Sequence, residues 1–401
     1  MKGRSPDYMN RMQWTTPGLQ PAPPYSRTDF IELQARDLAS HSWEYGTVSH
    51  ALLSLHNPEL TVFSPAGLQK PSPSPLPPGL AYAKEHITTT ADTLYPSDQG
   101  SISDPASLGI MAMLLGQLDK SYWVAAGRQH AHIINSPRWI NGAISHRKDS
   151  LSLWADAVAM VPPFIAFVGA VINDYHILDL AIDQIRGYRA ELLIRDGIIY
   201  EAERKDVNGS WRHIVSEPSS SSDDLKPWST SNAWALWGIT RVLATVVNWE
   251  GARQSDQFPF EPRRTELIHY AREIIDAAIR HDDHESGLLR NYLGDAEHAG
   301  ETSGTALVTA AVYRLVALDH ATFVHYQDWA DKKRRILEDC VMEDGVVGPA
   351  ANALNHFDKE PIGGGSAEGQ AFMLEMIAAS RDWEKTKRER PALEDDPGKG
   401  D

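Results

Sequence analysis

A carboxylate set among aromatic and apolar residues is a natural place to look for acid–base chemistry. This chain has one at Leu153-Trp154-Ala155-Asp156, running on into Ala157-Val158-Ala159-Met160-Val161-Pro162-Pro163-Phe164. A carboxyl in such surroundings loses hydration, so its pKa is expected to rise and it can carry a proton near neutral pH for general acid catalysis. Asp156 also reads as an N-cap of the helix that follows. In a continuous helix, residues 154 and 156 would point about 200° apart. Asp156 is therefore expected at the mouth of the helix, facing a pocket, with Trp154 packed elsewhere.

Other segments offer partners. Tyr95 to Gly109 holds Asp98 and Asp104; Asp104 precedes Pro105 and a helical run, the pattern of an N-cap with proline at the first helical position, and Asp98 is a loop residue able to line a pocket. His146 and Arg147 follow a Gly-Ala-Ile-Ser turn and can bond a ligand, tune Asp156 or form a polar link. Arg212 and His213 offer charge and a donor, or a solvated rim. Trp228 and Trp234 flank Thr230 and Asn232, and two indoles can grip the C–H face of a sugar or form ordinary core.

Four segments in one chain order carry a resemblance: Leu153-Trp154-Ala155-Asp156, Trp228-Ser229-Thr230-Ser231-Asn232-Ala233-Trp234, Glu301-Thr302-Ser303-Gly304-Thr305-Ala306 and Gly365-Ser366-Ala367-Glu368-Gly369-Gln370-Ala371-Phe372. Together they resemble the unsaturated glucuronyl and rhamnogalacturonyl hydrolases, the six-hairpin glycosidases, over about residues 30 to 382. The likeness looks closest to a fungal branch, which shares Trp43-Glu44-Tyr45-Gly46-Thr47 and Gly142-Ala143-Ile144-Ser145-His146-Arg147.

The resemblance implies that Asp156 is the general acid and base of an enzyme that hydrates the C4–C5 double bond of an unsaturated sugar. The hemiketal so formed opens and expels the aglycone, and neither metal nor cofactor is called for. The resemblance also implies a difference. Thr230 stands where uronate-binding members have Arg, and Ser231 and Ala233 replace glycines, so the partner for a sugar carboxylate is missing unless Arg147, Arg212 or His213 supplies it. Two alternatives to an unsaturated uronyl hydrolase stay open: a tailoring enzyme (cyclase, isomerase or hydrolase) of the same fold on a non-uronate small molecule, and a non-catalytic carbohydrate-binding relative.

The elements that must position these residues read as helical. Apolar residues recur at helical spacing over 151–170, 175–193, 232–247, 265–279, 304–318, 321–337 and 366–379. Paired helices recurring about every 50 to 60 residues are the period of stacked hairpins. The expected fold is all-α, an (α/α)6 barrel with a small β-hairpin on its rim, the hairpin joining 198–202 to 211–215 across Asn208-Gly209. The expected organisation is a flexible arm over 1–27, one barrel domain over 28–383 and a charged, disordered tail over 384–401. The stretches 21–24, 70–78 and 217–224 read as loop or disorder.

Composition narrows the partners. With 38 Lys and Arg against 54 Asp and Glu, a net charge of −16 repels nucleic acid and anionic membranes, leaving a small molecule or oligosaccharide as the expected substrate. One cysteine allows no internal disulfide and no zinc–thiolate cluster. The 16 histidines include no His-Glu-x-x-His, and His281-Asp282-Asp283-His284-Glu285 reads as a solvated loop able to take a metal only adventitiously. Met1 to Gln20 lacks an apolar run of signal length and no stretch reaches the roughly 20 apolar residues of a membrane span, which reads as cytoplasmic as written, or secreted if a leader was removed. Gly363 to Gly369 lacks the Lys of a phosphate loop, so Ser366 is expected to cap the last helix.

Overall fold

The computed structural model describes residues 27–64, 70–98, 100–195, 198–200, 205–251 and 257–389, without the side chains of 198–200 and 205. The expected N-terminal arm therefore lies, but for residue 27, outside the described residues. Among the described residues, twelve helices form six hairpins, with one further four-residue helix at His320–Phe323. The outer members are α1 (Arg27–Leu38), α3 (Pro78–His86), α5 (Lys120–Ile134), α7 (Tyr175–Leu192), α9 (Phe260–Arg280) and α11 (Gln327–Asp339). Each is followed by an inner member: α2 (Ser42–His56), α4 (Gly109–Gly116), α6 (Val161–Ile172), α8 (Ser229–Asn248), α10 (Thr302–Leu318) and α12 (Ala367–Glu389). The inner helices pack in sequence and the ring closes where α12 meets α2.

Burial separates the two rings as their sequences require. Outer α9 buries Leu267, Tyr270, Ala271, Ile274, Ile275, Ala277 and Ala278, one stripe at helical spacing. Inner α8 is buried on every side from Ser229 to Val246. The same all-round burial explains 155–172. This 18-residue stretch has the length and apolarity of a short membrane span, contrary to the expectation that none exists, and 89% of it is buried inside the barrel.

Three expectations are corrected. The predicted helix 151–170 is instead strand β1 (Leu151–Trp154), a 3-10 turn (Ala155–Ala159) and then α6, because Pro162 and Pro163 fit only the first turn of a helix. The predicted hairpin is re-paired: β2 (Ile198–Tyr200) joins β3 (Lys205–Asp206), while β4 (Ile214–Glu217) lies antiparallel to β1 with Trp154 opposite Ile214. The charged tail does not begin at 384, since α12 continues to Glu389.

Candidate active site

The β1–β4 ribbon places the acid. Trp154 ends β1 in extended backbone, and Ala155 N–H donates to His213 O at 2.9 Å, so the chain turns into the 3-10 segment beside the start of β4. Asp156, the second residue of that turn, is 8% exposed. The turn rests on α8 at Gly238, where a Cβ would come 2.0 Å from Val158 O. Trp154 does not pack elsewhere: because it belongs to a strand and Asp156 to a turn, both reach the same histidine. The Trp154 ring meets His213 edge-on at 5.7 Å, and Asp156 Oδ2 lies 3.2 Å from His213 Nε2. The expected apolar setting of Asp156 is thus interrupted by an imidazole.

His213 is held from both ends. Its Nδ1 lies 3.0 Å from Asp224 Oδ2, which also accepts from Tyr292 Oη at 2.5 Å, while Lys226 N–H donates to Asp224 Oδ1 at 3.2 Å. Burial alone would lower the His213 pKa, but the charges and hydrogen bonds of Asp156 and Asp224 outweigh it and raise the value to about 9. The Asp156–His213 pair therefore keeps a proton, carried by the ring, at neutral pH. Burial opposes ionisation of Asp224, yet the His213 bond and charge pull its pKa below the usual range. His356 completes the cluster, its Nε2 3.7 Å from Asp224 Oδ2 and its ring 4.4 Å from that of His213. Burial and the His213 charge lower its pKa to about 4.

Aromatic and acidic groups surround this centre. Trp228 packs on His213 at 4.7 Å and donates from Nε1 to Asn291 Oδ1 at 2.7 Å, and Asn291 Nδ2 donates to the carbonyls of His356 and Asp358, each at 3.2 Å. The imidazole of His146 stacks on Trp154 at 4.5 Å, the Arg147 guanidinium lies 4.9 Å from the same ring, and Ser103 Oγ bonds His146 Nδ1. Burial, then the Arg147 and His213 charges, push the His146 pKa well down. Asp98 accepts from Ser42 Oγ and titrates at about 7, raised by burial and by Asp104. Asp104 titrates at about 6, raised by burial and by Asp156 against the opposing Ser101 bond and Arg147 charge. It does not cap: Ser103 holds the N-cap position of that 3-10 turn and no side chain caps it. Glu368, bonded by Trp43 Nε1 at 2.7 Å, is raised well above its ordinary value by burial and by Glu44 and Asp156.

Several candidates lie apart from this centre. Trp234 packs edge-on against Phe372 at 4.7 Å, deeper in the barrel, so it does not form a platform with Trp228. Asn232 is fully engaged by backbone: its Oδ1 accepts from Trp211 N at 2.7 Å, and its Nδ2 donates to Trp211 O and Trp228 O at 2.9 Å. Arg212, half-buried, is engaged at the end of α7, its Nη1 donating to Glu191 O at 3.3 Å. Thr230 is fully buried and its Oγ1 has no hydrogen-bond partner. Glu301 caps α10 by accepting from Ser303 N and Gly304 N, and Ser366 Oγ accepts from Gly369 N. Asp282 is engaged by Lys333 and Trp329, and Asp283 by Arg290.

Asp224, Tyr292, His356 and Glu368 were not foreseen. Asp224 sits in a Ser/Asp run that reads as loop, yet Ile214 and Asp224 exchange both backbone hydrogen bonds and bury its side chain. Glu368 lies inside the Gly365 to Phe372 segment that carries the resemblance, and a carboxylate between Gly365 and Gly369 was the available signal. No local pattern marks His356 or Tyr292.

The sequence profile of Glycosyl Hydrolase Family 88 matches residues 80–362. Among solved structures, a glycoside hydrolase of family 105 from C. acetobutylicum ATCC 824 is 14% identical, with 88% of this chain and 99% of that one covered at a TM-score of 0.67. An unsaturated glucuronyl hydrolase from Bacillus sp. GL1, responsible for the degradation of glycosaminoglycan, is 13% identical over 88% of this chain and 96% of its own, at 0.58. A polysaccharide lyase is also similar, 16% identical over 90% and 99%, at 0.58. No curated protein sequence matches the chain. At such identities these structures establish the shared fold, a six-hairpin helical barrel.

Proposed function

The chain belongs to glycosyl hydrolase family 88, and from that premise we propose that it hydrolyses a small unsaturated glycoside with Asp156 as proton donor and acceptor. The observation that carries this reading is the contact of Asp156 with His213, 3.2 Å apart, with the Trp228 indole packed on the same imidazole. A carboxylate 3.2 Å from a protonated imidazole can receive that proton, pass it on and take another back, which hydration of an alkene requires. The proton adds to C4 and the hydroxyl of water to C5. The other water proton returns to the Asp156–His213 pair, the hemiketal opens, and the aglycone departs as its alcohol.

Substrate choice follows from charge. Asp98, Asp104, Asp156, Asp224 and Glu368 cluster around the site, whereas Thr230 brings no cation and Arg212 is engaged by Glu191 O. Arg147 is the cation this reading assigns to the pocket, and it already faces Asp98 and Asp104. A neutral sugar fits this balance better than a uronate. A second reading, a tailoring enzyme acting on a non-uronate small molecule, is favoured by the same Thr230.

The decisive variant is Asp156→Asn, which keeps shape and hydrogen-bonding capacity but cannot carry the proton. It should fold normally and lose at least about a hundredfold in turnover of an unsaturated disaccharide. Undiminished turnover would end the assignment of Asp156.

A further inference from the structure

Three side chains beside the proposed acid converge as ligands do. His213 Nδ1, Asp224 Oδ2 and His356 Nε2 lie within 4.8 Å of one another, with Asp224 Oδ2 3.0 Å from the first and 3.7 Å from the third. Donors bonded at about 2.0–2.1 Å to one tetrahedral ion lie roughly 3.3 Å apart, so these separations bracket what an ion would draw together. His356 Nε2 is buried and makes no hydrogen bond, although it faces this cluster.

The surroundings match what ligands need behind them. Metal-bound imidazoles usually give their second ring nitrogen to a carboxylate, and bound carboxylates are themselves hydrogen-bonded. Here His213 has its other nitrogen 3.2 Å from Asp156, and Asp224 accepts from Tyr292 Oη and Lys226 N. We propose that His213, Asp224 and His356 bind a divalent transition-metal ion of the zinc class, leaving at least one coordination position open to the pocket. Two imidazoles and one carboxylate suit such an ion, whereas calcium and magnesium take oxygen ligands. The ion replaces the proton between His213 Nδ1 and Asp224, which is released to solvent, and His213 keeps its Nε2 proton toward Asp156. His356 is the most exposed of the three ligands. The proposal goes beyond the hydrolase reading, and its test reads binding rather than turnover.

The full chain, stripped with a chelator and dialysed, is titrated with Co2+ while the visible d–d absorption is followed, and with Zn2+ by calorimetry. One ion per chain is expected, with the absorption of a four- or five-coordinate site. His356→Ala should weaken binding by more than about a hundredfold, because losing a ligand exceeds the roughly 10–100-fold cost of losing an outer partner; Tyr292→Phe should fall within that smaller range. Asp224→Asn serves if His356→Ala does not fold by circular dichroism. His284→Ala, in the separate 281–285 cluster, should bind as the parent does. Absence of binding, binding that survives both His356→Ala and Asp224→Asn, or binding lost in His284→Ala instead would overturn the site.

Discussion

Asn232 on α8 grips both backbone groups of Trp211, accepting from its N–H at 2.7 Å and donating to its carbonyl at 2.9 Å. Trp211 lies two residues before His213, so one inner-helix side chain fixes the backbone from which the imidazole reaches Asp156. An amide is the side chain that can accept and donate at once.

Asn232→Asp keeps the acceptor and loses both donated bonds, leaving the buried Trp211 carbonyl without its side-chain partner, while Trp228 O still accepts from Asn232 N–H and Ser231 Oγ. Each buried polar group left unpaired costs about 1–3 kcal/mol. Chemical denaturation should show a loss of about 1–3 kcal/mol, and unchanged stability would mean that the Trp211 clamp is dispensable.

Gly238 is where α8 meets the turn that carries Asp156. Gly238→Ala would set a methyl 2.0 Å from Val158 O, too close for any side-chain adjustment to relieve. The turn must move, so activity should fall severely together with about 1–3 kcal/mol of stability. A variant with full activity would show that Asp156 tolerates displacement.

Asp104 gives a pH dependence whose sign is fixed. Its folded value of about 6 lies above the ordinary 3.8, so the folded state binds the proton more tightly. The favourable contribution is present below about pH 4 and is lost as pH rises through about 6. Asp104→Asn should therefore raise stability by about 2 kcal/mol at pH 8 and change it little at pH 4, as read from thermal unfolding at both values. Equal effects at the two pH values would refute the titration.

Unsaturated galacturonyl and glucuronyl disaccharides should be turned over weakly, by roughly one to two powers of ten in affinity, since no Arg stands at position 230. Loss of alkene absorbance measures it directly. Rapid, saturable turnover at micromolar substrate would show that the carboxylate is held after all. In that event Arg147→Gln should raise KM at least about tenfold, because Arg147 is then the cation that holds it.

The barrel was legible because its signal is local: apolar spacing within each helix and the recurrence of hairpins need no knowledge of distant residues. The ribbon was not. Leu153 and Val215 alternate as strand residues only once paired, and the apolar run after Asp156 disguised four residues of strand as helix. His213, Trp228 and Arg147 could be named from the sequence, but their distances could not. Asn232 shows the limit of motif reading, since a residue taken for a ligand contact proves to be tied entirely to backbone. Asp224 and His356 were out of reach because their meaning comes from segments that meet only in the folded chain.

The β1–β4 ribbon has a consequence for the order in which the protein matures. Asp156 belongs to the third hairpin's inner arm, His213 to the segment leading into the fourth, and His356 to the approach to the last. A nascent chain emerging from the ribosome therefore displays Asp156 well before His213, and products truncated ahead of His213 lack the pair altogether. If Asp156 and His213 act as proposed, activity requires that distant hairpins have docked, and turnover then reports completion of the ring rather than formation of its parts.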